Sequence, residues 1–213
     1  MKAVFTHFQK FIAIKMISSS EVPSCKIIFL GNSGVGKTTL VSRWTSPIFD
    51  STIRPTIGVN HQRKRIQINN EEVDLFIWDT AGQEQFRALT PLYTRSASFA
   101  IITVAINDLS SFNSIENWIE LLSKTCDEMP PIALAVNKMD LAEEMVISEE
   151  QVLEKYEKKF SGNIFFVSAF NGKKVDDMFM KAATDGFNHY KEVNNLVTKQ
   201  VINDNDESKK KCC

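Results

Sequence analysis

Past residue 24 the chain alternates short apolar runs with stretches whose apolar residues recur every three or four positions. The runs of strand length are Lys26–Leu30, Lys64–Ile68, Val73–Trp78, Phe99–Val104, Ile132–Val136 and Ile164–Val167. Between them, Ile115, Trp118, Ile119 and Leu122 follow the i, i+3, i+4, i+7 spacing of a helix with one buried face. Ser148 and Gln151 make a capping-box pattern, opening a helix that turns Val152, Leu153, Tyr156 and Phe160 inward. Val175, Met178, Phe179 and Ala182 mark a last helix, and Ile66–Val73 reads as two strands joined by an Asn69-Asn70 turn. Alternation of this kind predicts an α/β domain: six strands, mostly parallel with one antiparallel edge strand, and helices on both faces.

Length and composition narrow the class. With 213 residues there is room for one well-buried domain, and 43% apolar and 24% charged residues are ordinary globular values. A net charge of −1 gives no reason to expect nucleic-acid binding. No apolar run approaches the roughly 18 residues that a membrane span needs. Four cysteines without metal-ligand spacing point to a reducing compartment, and two of them, Cys212 and Cys213, are the last residues. The organisation read from these shifts is an extension over 1–24, a folded domain over 25–187, and a polar tail over 188–213, disordered over Asn203–Lys211. The first twenty residues hold Lys2, Lys10 and Lys15 and no acid, with Val4, Phe8, Phe11 and Ile12 on one helical face. An interfacial or targeting helix, an ordered flank, and a stretch lying before a native start at Met16 all fit that pattern.

Chemistry enters at Gly31–Thr38, GNSGVGKT, which matches G-x-x-x-x-G-K-[ST] after a strand and before a helix. Gly31, Gly34 and Gly36 let the backbone turn so that N–H groups, through Ser33, Val35 and Thr39, face phosphate oxygens. Lys37 reaches the terminal phosphates and the Thr38 hydroxyl can bind Mg²⁺. The run Val73–Trp78 ends in Asp79-Thr80-Ala81-Gly82-Gln83-Glu84, which puts a carboxylate after a strand as a further Mg²⁺ holder. There Gly82 permits close approach to a γ-phosphate, and Gln83 can orient an attacking water. The run Ile132–Val136 ends in Asn137-Lys138-Met139-Asp140. The Asp140 carboxylate can accept from the N1–H and the amine of guanine, whereas adenine offers no such donor pair. Asn137 can bridge loops at the base edge and the Lys138 stem can cover the ring, so GTP and GDP are expected over adenine nucleotides.

With these residues in place the chain resembles the small GTPases, and among them the Rab family, from about Cys25 to Asn188 and at the terminal cysteines. The strings that carry the resemblance are GNSGVGKT, PTIGV (Pro55–Val59), FIWDTAGQE (Phe76–Glu84), FRALTPLY (Phe86–Tyr93), NKMD and Ser168-Ala169. It implies that Thr56 closes over the γ-phosphate and joins Thr38 and Asp79 around Mg²⁺, that Phe49 packs on guanine, and that the Ala169 N–H donates to the base. It further implies two switch segments (51–59 and 82–95) and a double geranylgeranylation site at Cys212 and Cys213, beside the basic Lys209–Lys211. The implied activity is slow GTP hydrolysis, with Lys37, Thr56 and Gln83 catalytic, in a monomeric switch of membrane traffic. Implied partners are a GTPase-activating protein, an exchange factor, prenylation escort and extraction proteins, and GTP-state effectors. The implied place is the cytoplasmic face of an intracellular membrane, with cycling through the cytosol.

The chain departs from the family pattern at three places. Asn60-His61 stands where Asp-Phe is usual, Ala105-Ile106 where Tyr-Asp is usual, and Phe170 where the base loop usually carries Lys. A nucleotide-locked scaffold with little turnover stays open as a rival reading, whereas a P-loop kinase or ATPase is opposed by Asp140.

Overall fold

The computed structural model describes residues 22–46, 56, 59–80, 82 and 90–210, with the backbone alone at 90 and over 196–210. Six strands, β1 (Ser24–Leu30), β2 (Val59–Ile68), β3 (Glu71–Thr80), β4 (Phe99–Ala105), β5 (Ile132–Asn137) and β6 (Ile164–Phe166), form one sheet in the order β2-β3-β1-β4-β5-β6. Only β2 and β3 pair antiparallel among the described residues; every other neighbouring pair is parallel. Their turn uses Asn69 and Asn70 at φ 51° and 67°. Two successive left-handed residues give a hairpin turn whose twist matches that of the strands, and Asn tolerates that region better than most side chains.

Helices α1 (Lys37–Thr45), α2 (Thr90–Thr94), α3 (Leu109–Asn113), α4 (Ile115–Thr125), α5 (Glu149–Tyr156) and α6 (Val175–Lys210) fill the connections. The central strands are apolar at almost every position because both of their faces are covered. In β1, Cys25, Ile27 and Phe29 enter one core with Leu40, Trp44 and Phe179, while Ile28 and Leu30 enter the other with Phe112, Trp118 and Leu122. Trp44 stacks on Phe179 at 4.3 Å between ring centroids, fastening α1 to α6. Truncating a fully buried phenylalanine of this kind costs about 3–5 kcal/mol. Burial also pushes the Cys25 thiol up to about 12, and it raises that of Cys126 as well.

The strand order reverses direction at β1, whose neighbours β3 and β4 lead to opposite halves of the sheet. Ligands of open α/β sheets bind at such a point, beyond the carboxyl ends of the strands.

Three features differ from the sequence expectation. Strand β2 begins at Val59 rather than Lys64, because pairing with β3 continues through Val59↔Thr80 despite polar outward positions. The short helices α2 and α3 carry too few residues for a periodic signal. Helix α6 is continuous to Lys210, where a disordered tail was expected; no glycine or proline interrupts residues 188–210 to stop it.

Candidate functional site

The β1–α1 loop, Asp79 and Asn137 each stand at the carboxyl end of a strand. After β1 the chain turns through Gly31–Gly36 and enters α1, with Gly36 as its N-cap at φ 95°. A side chain there would be strained, and its Cβ would fall on the Asn137 amide. No capping side chain closes this helix start, so its backbone donors stay available to an anion.

Lys37 is buried, and its ammonium donates to the Gly31 carbonyl at 2.8 Å and the Asn32 carbonyl at 2.9 Å. These bonds hold the amine against the loop that precedes it. Burial lowers its pKa to about 8, and the nearby Asp79 charge works in the opposite direction.

At the end of β3, Asp79 lies beside Phe29 of β1 in register. The next residue, Thr80, donates its hydroxyl to the Phe29 carbonyl at 2.6 Å, which fixes this strand end. Three oxygens converge there. The Thr38 hydroxyl donates to Asp79 Oδ2 at 2.6 Å, Thr56 lies 2.7 Å from Thr38 between hydroxyl oxygens, and the Thr56 hydroxyl reaches Asp79 Oδ2 at 3.3 Å. Among the described residues Asp79 Oδ1 is buried without a hydrogen-bond partner, and burial raises the pKa of this carboxyl. A buried acceptor left over beside two hydroxyls fits a small hard cation. Mg²⁺ takes one or two carboxylates and completes its shell with phosphate and water. Gly82 closes the same corner, since a Cβ on it would collide with the Asn32 and Ser33 backbone.

The other end of the cleft is built by β5 and the loop after β6. Asn137, the last residue of β5, is buried and uses both ends of its amide. Its nitrogen donates to the Val35 carbonyl at 2.8 Å, and its oxygen accepts from the Ala169 N–H at 3.1 Å. One side chain thus ties the β1–α1 loop to the loop after β6. Lys138 sits at φ 67°, and Asp140 is exposed with one carboxylate oxygen accepting from the Ser168 hydroxyl at 2.5 Å. The Asn171 N–H donates to the same Ser168 hydroxyl at 3.2 Å, so Ser168 sets both the loop and the carboxylate. Phe170 points outward, with 65% of its surface exposed.

A contact that the sequence did not signal comes from α1. Arg43 donates through Nε to the Ala169 carbonyl at 2.8 Å and through Nη2 to the Phe170 carbonyl. Its position in a helix after the phosphate loop carries no mark of a partner 126 residues away.

These strand ends bring together the β1–α1 loop, the Thr38, Thr56 and Asp79 cluster, and the loops after β5 and β6. The Ras family model matches residues 26–187. The chain belongs to the Ras family. Over 160 residues it is 36% identical to Ras-related protein Rab-22A of Homo sapiens, covering 73% of this chain and 80% of that protein. It is 35% identical to Ras-related protein Rab-21 of Geodia cydonium over 158 residues, 74% of this chain and 69% of that one. Ras-related protein Rab-30 of Homo sapiens is 37% identical over 158 residues, 74% of this chain and 77% of that protein. The chain is accordingly a Rab-type GTPase switch of membrane traffic, a family that binds GTP and GDP, answers to regulators and effectors, and associates with membranes. No helix among the described residues is long and apolar enough to cross a membrane.

In this Rab-type chain His61, Trp78 and Tyr93 form a row of rings. His61 and Trp78 are cross-strand partners with ring centroids 5.7 Å apart, and Trp78 lies 5.9 Å from Tyr93. The Lys26 ammonium sits 4.4 Å over the Trp78 ring. Of the residues expected at the site, Gly31, Ser33, Gly34, Val35, Gly36, Lys37, Thr38 and Thr39 lie together at the β1–α1 junction. Phe49, Gln83, Cys212 and Cys213 lie outside the described residues.

Proposed function

We propose that this Rab-type chain binds GTP with Mg²⁺ across the two ends of the cleft and hydrolyses it slowly to GDP and phosphate. What carries the reading is the convergence of Thr38, Thr56 and Asp79 with one buried Asp79 oxygen left over. The proposed division of the chain is an N-terminal extension over 1–24, the G domain over 25–187 and a terminal region over 188–213. Thr38, Thr56 and Asp79 would hold Mg²⁺, which when bound neutralises phosphate charge as a Lewis acid.

The chain's own groups supply the rest. The N–H groups of Gly31–Thr39 and the Lys37 ammonium bind the phosphates and stabilise charge on the leaving oxygen. Thr56 shields the γ-phosphate from bulk water, and Gln83 orients one water in line with the bond that breaks. Oxygen of that water bonds to phosphorus, the bond to the GDP oxygen breaks, and the water proton leaves with the phosphate. Asp140 accepts from guanine, with Ser168 positioning its carboxylate. The Ala169 N–H, held by Asn137 at 3.1 Å in this structure, would have to turn from that oxygen to donate to the base, and Phe49, Lys138 and Phe170 border the ring.

A turnover without a supplied arginine is slow. A GTPase-activating protein that inserts one adds about 10³–10⁵-fold. The remaining partners in this reading are an exchange factor, prenylation escort and extraction proteins, and GTP-state effectors. Geranylgeranyl groups on Cys212 and Cys213 anchor the monomer to the cytoplasmic face of an intracellular membrane, because two chains hold stably where one is marginal. Single-turnover hydrolysis of bound GTP tests the reading. Gln83→Leu is expected to slow it about tenfold or more while GTP stays bound; an unchanged rate removes Gln83 from the mechanism.

A further inference from the structure

A cavity of about 660 Å³ opens at the amino-terminal end of β1, far along the strand from the phosphate loop. Phe76 and Trp78 of β3 line one side, Tyr190 and Val193 of α6 line another, and Asp127 and Glu128 stand in the segment after α4. We propose that this cavity is the docking site for the chain's own first twenty residues, which seat their apolar face in it.

Three observations select this occupant. Ser24 lines the cavity and is the first residue of β1, so the chain that precedes it is delivered to the opening. The segment places Val4, Phe8, Phe11 and Ile12 on one helical face, a stripe that matches a wall of aromatic and aliphatic side chains. Its charge is complementary to the acidic part of the lining: Lys2, Lys10 and Lys15 with no acid, against the exposed Asp127 and Glu128, with Lys26 the one lysine or arginine among the lining residues. The ion pair of Asp127 with Arg95, at 3.9 Å between two exposed groups, is weak and leaves the carboxylate free to exchange partners. The volume suits a few large side chains, being in the range of small-ligand sites.

The consequence falls on Trp78, which belongs both to this wall and to the row with His61 and Tyr93. A seated arm covers one flank of Trp78 and links the start of the chain to that row.

Hydrogen exchange compares the full chain with a chain starting at Met16, both as purified. Amides of 125–128 and 187–195 are expected to exchange about fivefold faster or more in the shorter chain, and a synthetic peptide of residues 1–20 restores their protection. In the full chain, F8D/F11D and D127K/E128K each reproduce the shorter chain's pattern. Equal exchange in all forms overturns the proposal. So does protection that rises with protein concentration, which assigns the cavity to a second copy. An F8D/F11D effect confined to binding of anionic vesicles assigns the arm to a lipid surface instead and also overturns it. Native protein that begins at Met16 removes the occupant altogether. None of these readouts depends on GTP turnover, so they stand apart from the hydrolysis test.

Discussion

The two ends of the cleft are finished to different degrees. At the base end, Asn137 spends its amide on Val35 and Ala169, Ser168 holds Asp140, and Arg43 holds the carbonyls of the same loop. At the other end, Asp79 keeps a buried oxygen unpartnered among the described residues, and Lys37 is buried against two carbonyls. The base loop is therefore preorganised by the protein's own hydrogen bonds, whereas the phosphate end carries a desolvation cost that a bound ligand offsets. Preorganisation of one end lowers the ordering cost of binding, and the other end supplies the energy.

Asp79→Asn tests the contrast most strongly. Losing a buried charge partner costs about 3–5 kcal/mol, so nucleotide retention in Mg²⁺ is expected to fall about 100-fold or more. The nucleotide-stripped domain should melt no lower than the parent, because the substitution removes a buried charge. A lower melting temperature for the stripped variant breaks the contrast.

Asn137→Ala is expected to act on both quantities. It leaves the Val35 carbonyl and the Ala169 N–H without their partner, at about 1–3 kcal/mol for each group. GDP affinity, read by titration of a fluorescent analogue, should drop about tenfold or more, and the stripped domain should also lose stability. Loss of affinity alone would place Asn137 with Asp79 and blur the two ends.

Arg43→Ala sharpens the base-end half of the argument. Hydrogen bonds from a charged donor are worth about 1.5–3 kcal/mol, so GDP dissociation is expected to quicken about tenfold or more. The hydrolysis rate of bound GTP should stay the same. Arg43→Lys should restore part of the slow release, since one ammonium cannot reproduce two forked bonds.

The smallest effect is expected away from both ends. Asp74 is held by Arg65 and Arg63, and their hydrogen bonds keep its carboxyl well below its ordinary value of 3.8. The folded form thus binds fewer protons than the unfolded one, and the stabilisation is present above that value and fades as pH falls below it. Asp74→Asn should make melting less sensitive to acid below about pH 4, with nucleotide release unchanged.

The strands, their order of appearance and the phosphate and base strings were legible because each is local. A both-faces-buried strand shows as an apolar run, and GNSGVGKT or NKMD is contiguous. Arg43 was not legible, since its partners lie in a loop distant in sequence and a half-buried helix position imposes no pattern on its residue type. The continuation of α6 to Lys210 was hidden for a different reason: a polar segment and a polar helix share one composition, and only the absence of breakers distinguishes them. The turn at Asn69-Asn70 was read correctly because the chemistry of left-handed residues is itself a sequence signal.

The buried Cys25 and the partly covered Cys126 carry a practical consequence. Thiolate, not thiol, is the form that attacks alkylating and lipid-transfer reagents. Burial raises the pKa of both cysteines of the described domain, and Cys25 is in addition fully enclosed. A dye, a spin label or an isoprenoid donor can then be aimed at thiols elsewhere on the chain without mutating Cys25. In this sense the packing of β1 acts as a chemoselectivity filter at Cys25.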